Sequence, residues 1–242
     1  MDAFKLRIAH NSQTRDTLTV INFLPELKSY LHEIVEHGKT ALNEETYSHL
    51  TSILTFLIFF TMKAEAAASA GMRVMWYNGT PSRSRQDLLR EHGGIEILIR
   101  MLRTPFQATD LSLQDMFEAA GAANISYSAE ATQFEEGFGV QSEDHAHSQM
   151  ARDDRERLRL LFGINQLVYR LLTVLTQDHS PNQMVCSDYL STFIGQLGFG
   201  LNSAGFLSML VKDNPQVLDI VSMQTVEQVC ELILSQVTLT DI

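Results

Sequence analysis

"PSRSRQDLLREHGGIEILIRMLRTPF", residues 81–106, decides how the rest of the chain is read. Asn78-Gly79 and Pro81 mark a turn, and Ser82 is placed to cap a helix over 83–92. Gly93-Gly94 closes that helix. Ile95, Ile97, Leu98, Met101 and Leu102 then predict a second short helix, ended by Thr104-Pro105. Two short helices joined by a glycine turn, each apolar along one stripe, cannot bury that stripe alone. They need neighbours of the same kind.

Such neighbours are present on both sides. Upstream, Leu24, Leu27, Leu31, Ile34 and Val35 form one stripe, with Gly38 as its stop. Asn43 is a good N-cap, with Glu44 and Glu45 in the first turn where the helix dipole favours negative charge. Tyr47, Leu50, Leu54, Leu57 and Ile58 carry that helix to about Lys63. An Ala-rich segment spans 64–71. Downstream, Leu158, Leu161, Asn165, Val168, Leu172 and Leu175 share one face of a helix from Asp153 to about Gln177. Pro181 suits the first turn of a helix running to Gly198, with Val185, Tyr189, Phe193 and Leu197 on its buried stripe. Asn202 or Ser203 opens another to Val211, and Pro215 and Ser222 open two more.

The expected fold is all-α, a solenoid of short antiparallel helices forming one domain over residues 1–242. Residues 1–22 read as an irregular or extended lead-in. No exact repeat period is visible, so a plain helical bundle is the structural alternative. Residues 107–151 stand apart. They hold eight acids (Asp110, Asp115, Glu118, Glu130, Glu135, Glu136, Glu143, Asp144) and no Lys or Arg. Their periodicity is weak; 111–120 fits a helix, and the remainder reads as a mobile acidic insert.

The 242-residue chain is 45% apolar and 19% charged, with a formal charge of −11. That balance lacks the basic stripe of a nucleic-acid binder. Cys186 and Cys230 admit no disulfide framework and no CxxC zinc pattern, which fits a reducing compartment. Both occupy stripe positions suited to packing. The N-terminus has no apolar signal core. Ile53–Met62, the most hydrophobic run, is about half of the roughly 20 residues needed to span a bilayer, so no direct membrane contact is expected.

Enzyme signatures are missing: no Walker lysine, no G-x-S-x-G, no H-E-x-x-H. No enzyme activity, metal or cofactor is expected. His145 and His147, beside Glu143 and Asp144, form the closest approach to a metal set, without further ligands. Trp76 and Tyr77 read as an anchor of their loop onto the core, with an exposed partner contact as the alternative. The arginines of 83–91 remain. At about 100° per residue, Arg83, Asp87 and Arg90 share one helix face, and Arg85 points roughly the other way. A polyphosphate needs several cations on one face. Asp87 stands between the two that qualify, so spacing alone favours a ridge that neutralises itself.

Residues 83–91 fit R-x-R-Q-x-L-x-R-E and are followed by an apolar helix ending in Pro-Phe. This pattern resembles the intracellular calcium-release channels, most closely the inositol 1,4,5-trisphosphate receptors in the helical domain after their second β-trefoil. Asp2-Ala3-Phe4 resembles the start of the same domain. "LVYRLLTVLTQDHSPNQ" (167–183) is similar to the family's "CYRVL…QDYRKNQ" stretch. "GFLSMLVKDNPQVLDIV" (205–221) resembles both branches, and its Asn214-Pro215-x-Val217-Leu218 resembles the ryanodine receptors somewhat more. The resemblance covers nearly the whole chain outside 107–151 and implies an armadillo-like helical solenoid.

In inositol trisphosphate receptors this domain forms one wall of the ligand cleft and a β-trefoil forms the other. The family's Arg, Lys and Arg on the first helix fall on Arg83, Asp87 and Arg90. Its Tyr-Arg-Lys cluster falls on His179, Ser180 and Pro181. Two cations of three survive in the first cluster and neither in the second, while His179 can donate one hydrogen bond. Each lost charge-assisted contact costs about 1.5–3 kcal/mol, so two losses weaken binding by roughly 10² or more. The resemblance therefore implies a degenerate inositol phosphate site, with weak binding at most. It also implies β-trefoil neighbours, a homotetrameric parent channel and a place on the cytosolic face of the endoplasmic reticulum. A ryanodine-receptor-like coupling module and a free-standing armadillo-like peptide adaptor are the alternatives.

Overall fold

The computed structural model describes residues 12–129, 145–227 and 229–230. Among them no strand occurs, and the fold is all-α, consistent with a helical solenoid. The helices are α1 (Ser12–His37), α2 (Glu44–Thr61), α3 (Glu65–Ser69), α4 (Arg83–Glu91), α5 (Gly94–Ala108) and α6 (Leu113–Ala129). They continue with α7 (His145–Thr176), α8 (Ser180–Ser187), α9 (Leu190–Ile194), α10 (Ser203–Val211) and α11 (Pro215–Ile220).

α7 is the spine, packing against α2, α5, α6, α8 and α10. Its predicted stripe is buried throughout, Asn165 included. Arg152–Thr176 is long and apolar enough to cross a bilayer, but 72% of that window lies inside the protein, as befits a core helix. α2 packs on α7, and its Leu50, Ile53, Leu54, Leu57 and Ile58 are all buried. Asn43 caps α2 as its side chain predicts, accepting from the Thr46 N–H at 2.9 Å.

The α4–α5 pair turns where the sequence places the turn. Gly93 takes a left-handed φ of 75°, and a Cβ on Gly94 would meet the Leu89 carbonyl oxygen at 2.8 Å.

Five expectations are corrected. Residues 12–22 are helical, not extended: α1 begins at Ser12 and runs through Pro25. α5 continues through Pro105 to Ala108. In α5 the proline read as a stop is overridden by packing, and α1 likewise carries Pro25 within it. Val20 is fully buried before Pro25, and Met101, Leu102 and Thr104 are buried before Pro105. Third, Leu111, Met116, Ala119 and Ala120 are buried, so 111–121 belongs to the body of the fold and not to an insert. α6, begun there, packs on α7. Residues 130–144 lie outside the described ones. Fourth, the helix expected from Pro181 to Gly198 breaks at Asp188-Tyr189 into α8 and α9. The break shifts the phase of the buried face, which holds Asn182, Gln183, Cys186, Phe193 and Ile194. Of the predicted stripe only Phe193 is fully inside. Fifth, Val35 is 60% exposed, although its stripe partners on α1 are buried.

Side-chain amides join helices distant in sequence, two of them by closing helix C-termini, where carbonyls lack an intrahelical partner. Gln86 on α4 donates to the carbonyls of Val174 and Gln177 at the end of α7, both at 2.9 Å. Gln183 donates to those of Met209 and Lys212 at the end of α10, at 3.0 and 3.2 Å. Gln196 donates to the Leu102 carbonyl of α5 at 3.0 Å and accepts from the Tyr169 hydroxyl at 2.8 Å.

Candidate functional site

α4 lies beside the start of α8, and the two sides of α4 differ. Toward the interior, Leu89 is buried and Gln86 closes α7. Arg85, read from spacing as pointing away from the ridge, is held on all sides. Its Nε and Nη2 donate to the two Asp16 carboxylate oxygens at 2.9 Å each. Nη1 donates to Glu65 at 2.6 Å and to the Phe60 carbonyl at 2.5 Å. The guanidinium carbon lies 4.2 Å from the centroid of the Phe60 ring. Arg85 thus ties α4 to α1, α2 and α3.

Toward the outside are Arg83, Asp87 and Arg90, as the spacing predicts. The Asp87 Oδ1 accepts from Arg90 Nη2 at 2.8 Å and lies 3.1 Å from His179 Nε2. Arg90 also lies 3.7 Å from a Glu91 oxygen. Among the described residues Arg83 makes no ion pair, and it is exposed. The Arg90 Nε is buried without a partner.

His179 is 1% exposed and serves as the N-cap of α8. Its Nδ1 accepts from the Asn182 N–H at 3.3 Å, so the proton sits on Nε2, the atom that faces Asp87. Burial holds its pKa below the ordinary 6.5, against the opposing pull of Asp87 and with the help of Arg83. A buried imidazole, biased toward its neutral form, stands where the sequence offered a hydrogen-bond donor. Ser180 and Pro181 follow it, both exposed at the start of α8.

The geometry therefore brings together Arg83, Asp87, Arg90 and His179 on one wall, with Ser180 and Pro181 at its edge. Chemically the wall offers one unpaired guanidinium, one engaged by a carboxylate, and a carboxylate at its centre. Sequence reasoning missed Arg85 and Gln86 as the residues that seat the wall. The signal was available: a lone arginine opposite a charged ridge has to find carboxylates inside.

The remaining candidates divide. Tyr77 anchors its loop as expected, its ring 5.3 Å from that of Phe59 and its carbonyl accepting from Arg170. Trp76 does not: it is 78% exposed. Cys186 is buried and its thiol pKa is pushed up by desolvation and by Glu96. Cys230 is exposed, contrary to the packing expectation. Glu143 and Asp144 lie outside the described residues, and with them the proposed His145–His147 set. Among the described residues no group of three or more His, Cys, Asp or Glu could hold a metal ion.

The family model of the RIH domain, RYDR_ITPR, matches residues 51–238, from within α2 to beyond α11. The chain belongs to the RIH-domain family. This is the homology domain of ryanodine and inositol trisphosphate receptors, which agrees with the resemblance carried by residues 83–106, 167–183 and 205–221. No individual curated protein matches the chain closely enough to stand as a relative. The match to the RIH domain includes α4 and α8, the two elements of the wall, and leaves α1 outside.

Proposed function

We propose that this RIH domain is a cytosolic coupling domain of an inositol trisphosphate-receptor-like calcium-release channel whose inositol phosphate site is degenerate. It performs no catalysis. It transmits rotations between β-trefoil neighbours and the pore of a homotetrameric channel in the endoplasmic reticulum. The observation that carries the reading is Asp87. Its carboxylate sits where the family resemblance places a cation, and it engages both Arg90 and His179. An incoming phosphate would have to displace that carboxylate from Arg90 and then tolerate it nearby. Leu218, Ile220, Met223 and Val226 after α10 are exposed apolar side chains of the kind that a neighbouring domain would cover.

Calorimetric titration of the chain with inositol 1,4,5-trisphosphate tests the degenerate site. The expected result is no binding tighter than about 1 mM. Micromolar binding that Arg90→Gln abolishes would overturn it.

A further inference from the structure

Trp76 is the chain's single tryptophan, and most of it faces solvent. It ends the short helical turn Val74–Trp76, and Met72, just before that turn, is 52% exposed. The turn itself is seated on the body of the fold. Arg170 of α7 donates to the carbonyls of Val74 and Tyr77, and the Tyr77 ring packs against Phe59. The two apolar side chains are thus held out from a fixed base.

The charge around them has one sign. No Asp or Glu occurs from 66 to 86, in a chain of formal charge −11. Arg73 opens the turn. Lys63 lies at the end of α2, and the loop runs back along that end, the Ser82 N–H donating to the Thr61 carbonyl at 2.8 Å. Both cations are exposed, and among the described residues neither makes an ion pair. Exposed Trp and Met side chains flanked by unpaired cations fit an acidic segment that carries aromatic residues.

The chain has such a segment. Residues 130–144 hold five acids and no Lys or Arg, with Phe134, Phe138 and Val140 among them. Chain length decides which copy supplies it. α7 starts at His145, and Arg170, which holds the loop, lies roughly 38 Å further along it. Phe138 precedes His145 by seven residues, at most roughly 25 Å of chain. It falls short of the loop of its own copy, whereas a second copy has no such tether. We propose that the Trp76 loop docks the acidic 130–144 segment of a second copy of this chain, with Phe138 against Trp76 and Met72 and the carboxylates beside Lys63 and Arg73. Loop and segment are different surfaces, so the contact is head-to-tail, the kind that closes into rings. It does not rest on the inositol phosphate reading.

The test mixes two variants of the full chain at low salt. Phe134→Ser/Phe138→Ser keeps Trp76 and loses the aromatic part of the segment. Trp76→Ser keeps the segment and contributes no tryptophan emission. Adding the second to the first should shift the Trp76 emission to the blue, with a Kd of about 0.1 mM or tighter. An end-capped peptide of residues 130–144, which carries no tryptophan, should produce the same shift. Lys63→Gln/Arg73→Gln in the emitting chain should weaken both at least about threefold. No shift with either at about 0.5 mM would overturn the proposal. So would an equal shift from a Trp76→Ser chain that also carries Phe134→Ser/Phe138→Ser. Emission already blue before any addition would overturn it as well, since the loop would then be covered by its own copy. Phosphatidylserine vesicles shifting the emission where the Trp76→Ser chain does not would overturn the second copy in favour of a membrane.

Discussion

On the inner side of α4, Arg85 and Gln86 bond only to other parts of the protein; on the outer side, Arg83, Asp87 and Arg90 face the surface and α8. The two sides draw on the same short motif, R-x-R-Q-x-L-x-R-E, yet half of that motif reports packing. Arg85 joins three helices and Gln86 closes a fourth. Only Arg83 and Arg90 bear on what could bind. A motif shared with a ligand-binding family thus shows first that α4 is seated in the same manner, and says much less about the ligand.

Substitutions separate the two sides, and the largest effect is expected at Arg85. Arg85→Ala leaves the two oxygens of Asp16 without their cation in a mostly buried place. It is expected to cost about 3 kcal/mol, a fall in Tm of roughly 6–12 °C by calorimetry for a chain of this size. Gln86→Ala strands two carbonyls at the end of α7 and is expected to cost about 2 kcal/mol in urea unfolding. A loss under 0.5 kcal/mol at either position would erase the distinction between the sides.

On the outer side the effects shrink. His179 is held below its ordinary pKa when folded, so the unfolded chain binds more protons at pH values just under 6.5. Stability should therefore fall as pH drops through and below about 6.5. His179→Asn, which keeps an N-cap, should lose that part of the slope. A wild-type slope no steeper than that of His179→Asn would contradict the buried neutral imidazole. Asp87→Asn removes a half-exposed ion pair and should change stability by less than about 1 kcal/mol. Arg83→Gln should fall within about 0.5 kcal/mol of wild type.

Much of the fold was legible in the sequence because apolar period and capping residues agreed locally. The α2 cap at Asn43, the glycine turn at 93–94 and the α7 stripe are cases where each local signal points to the same element. The failures have a common physical cause. Pro25 and Pro105 are strong local stops, but long-range packing on both sides of each keeps the helix going. The Asp188-Tyr189 break had no such punctuation, since neither residue is a proline or glycine. At the site, helix geometry correctly put Arg83, Asp87 and Arg90 on one face. It could not place His179, because a contact between residues 87 and 179 depends on how α8 stacks on α4. The orphan Tyr30 hydroxyl was equally invisible, since alternation of apolar residues marks burial and not hydrogen-bond satisfaction.

The central claim is that Asp87 neutralises the outer side of α4 from within. Calorimetry of Asp87→Lys with inositol 1,4,5-trisphosphate tests it most directly. The account predicts that wild type binds no tighter than about 1 mM and that Asp87→Lys binds at about 0.1 mM or tighter, a gain lost again with Arg90→Gln. Wild-type binding as tight as that of Asp87→Lys would contradict it.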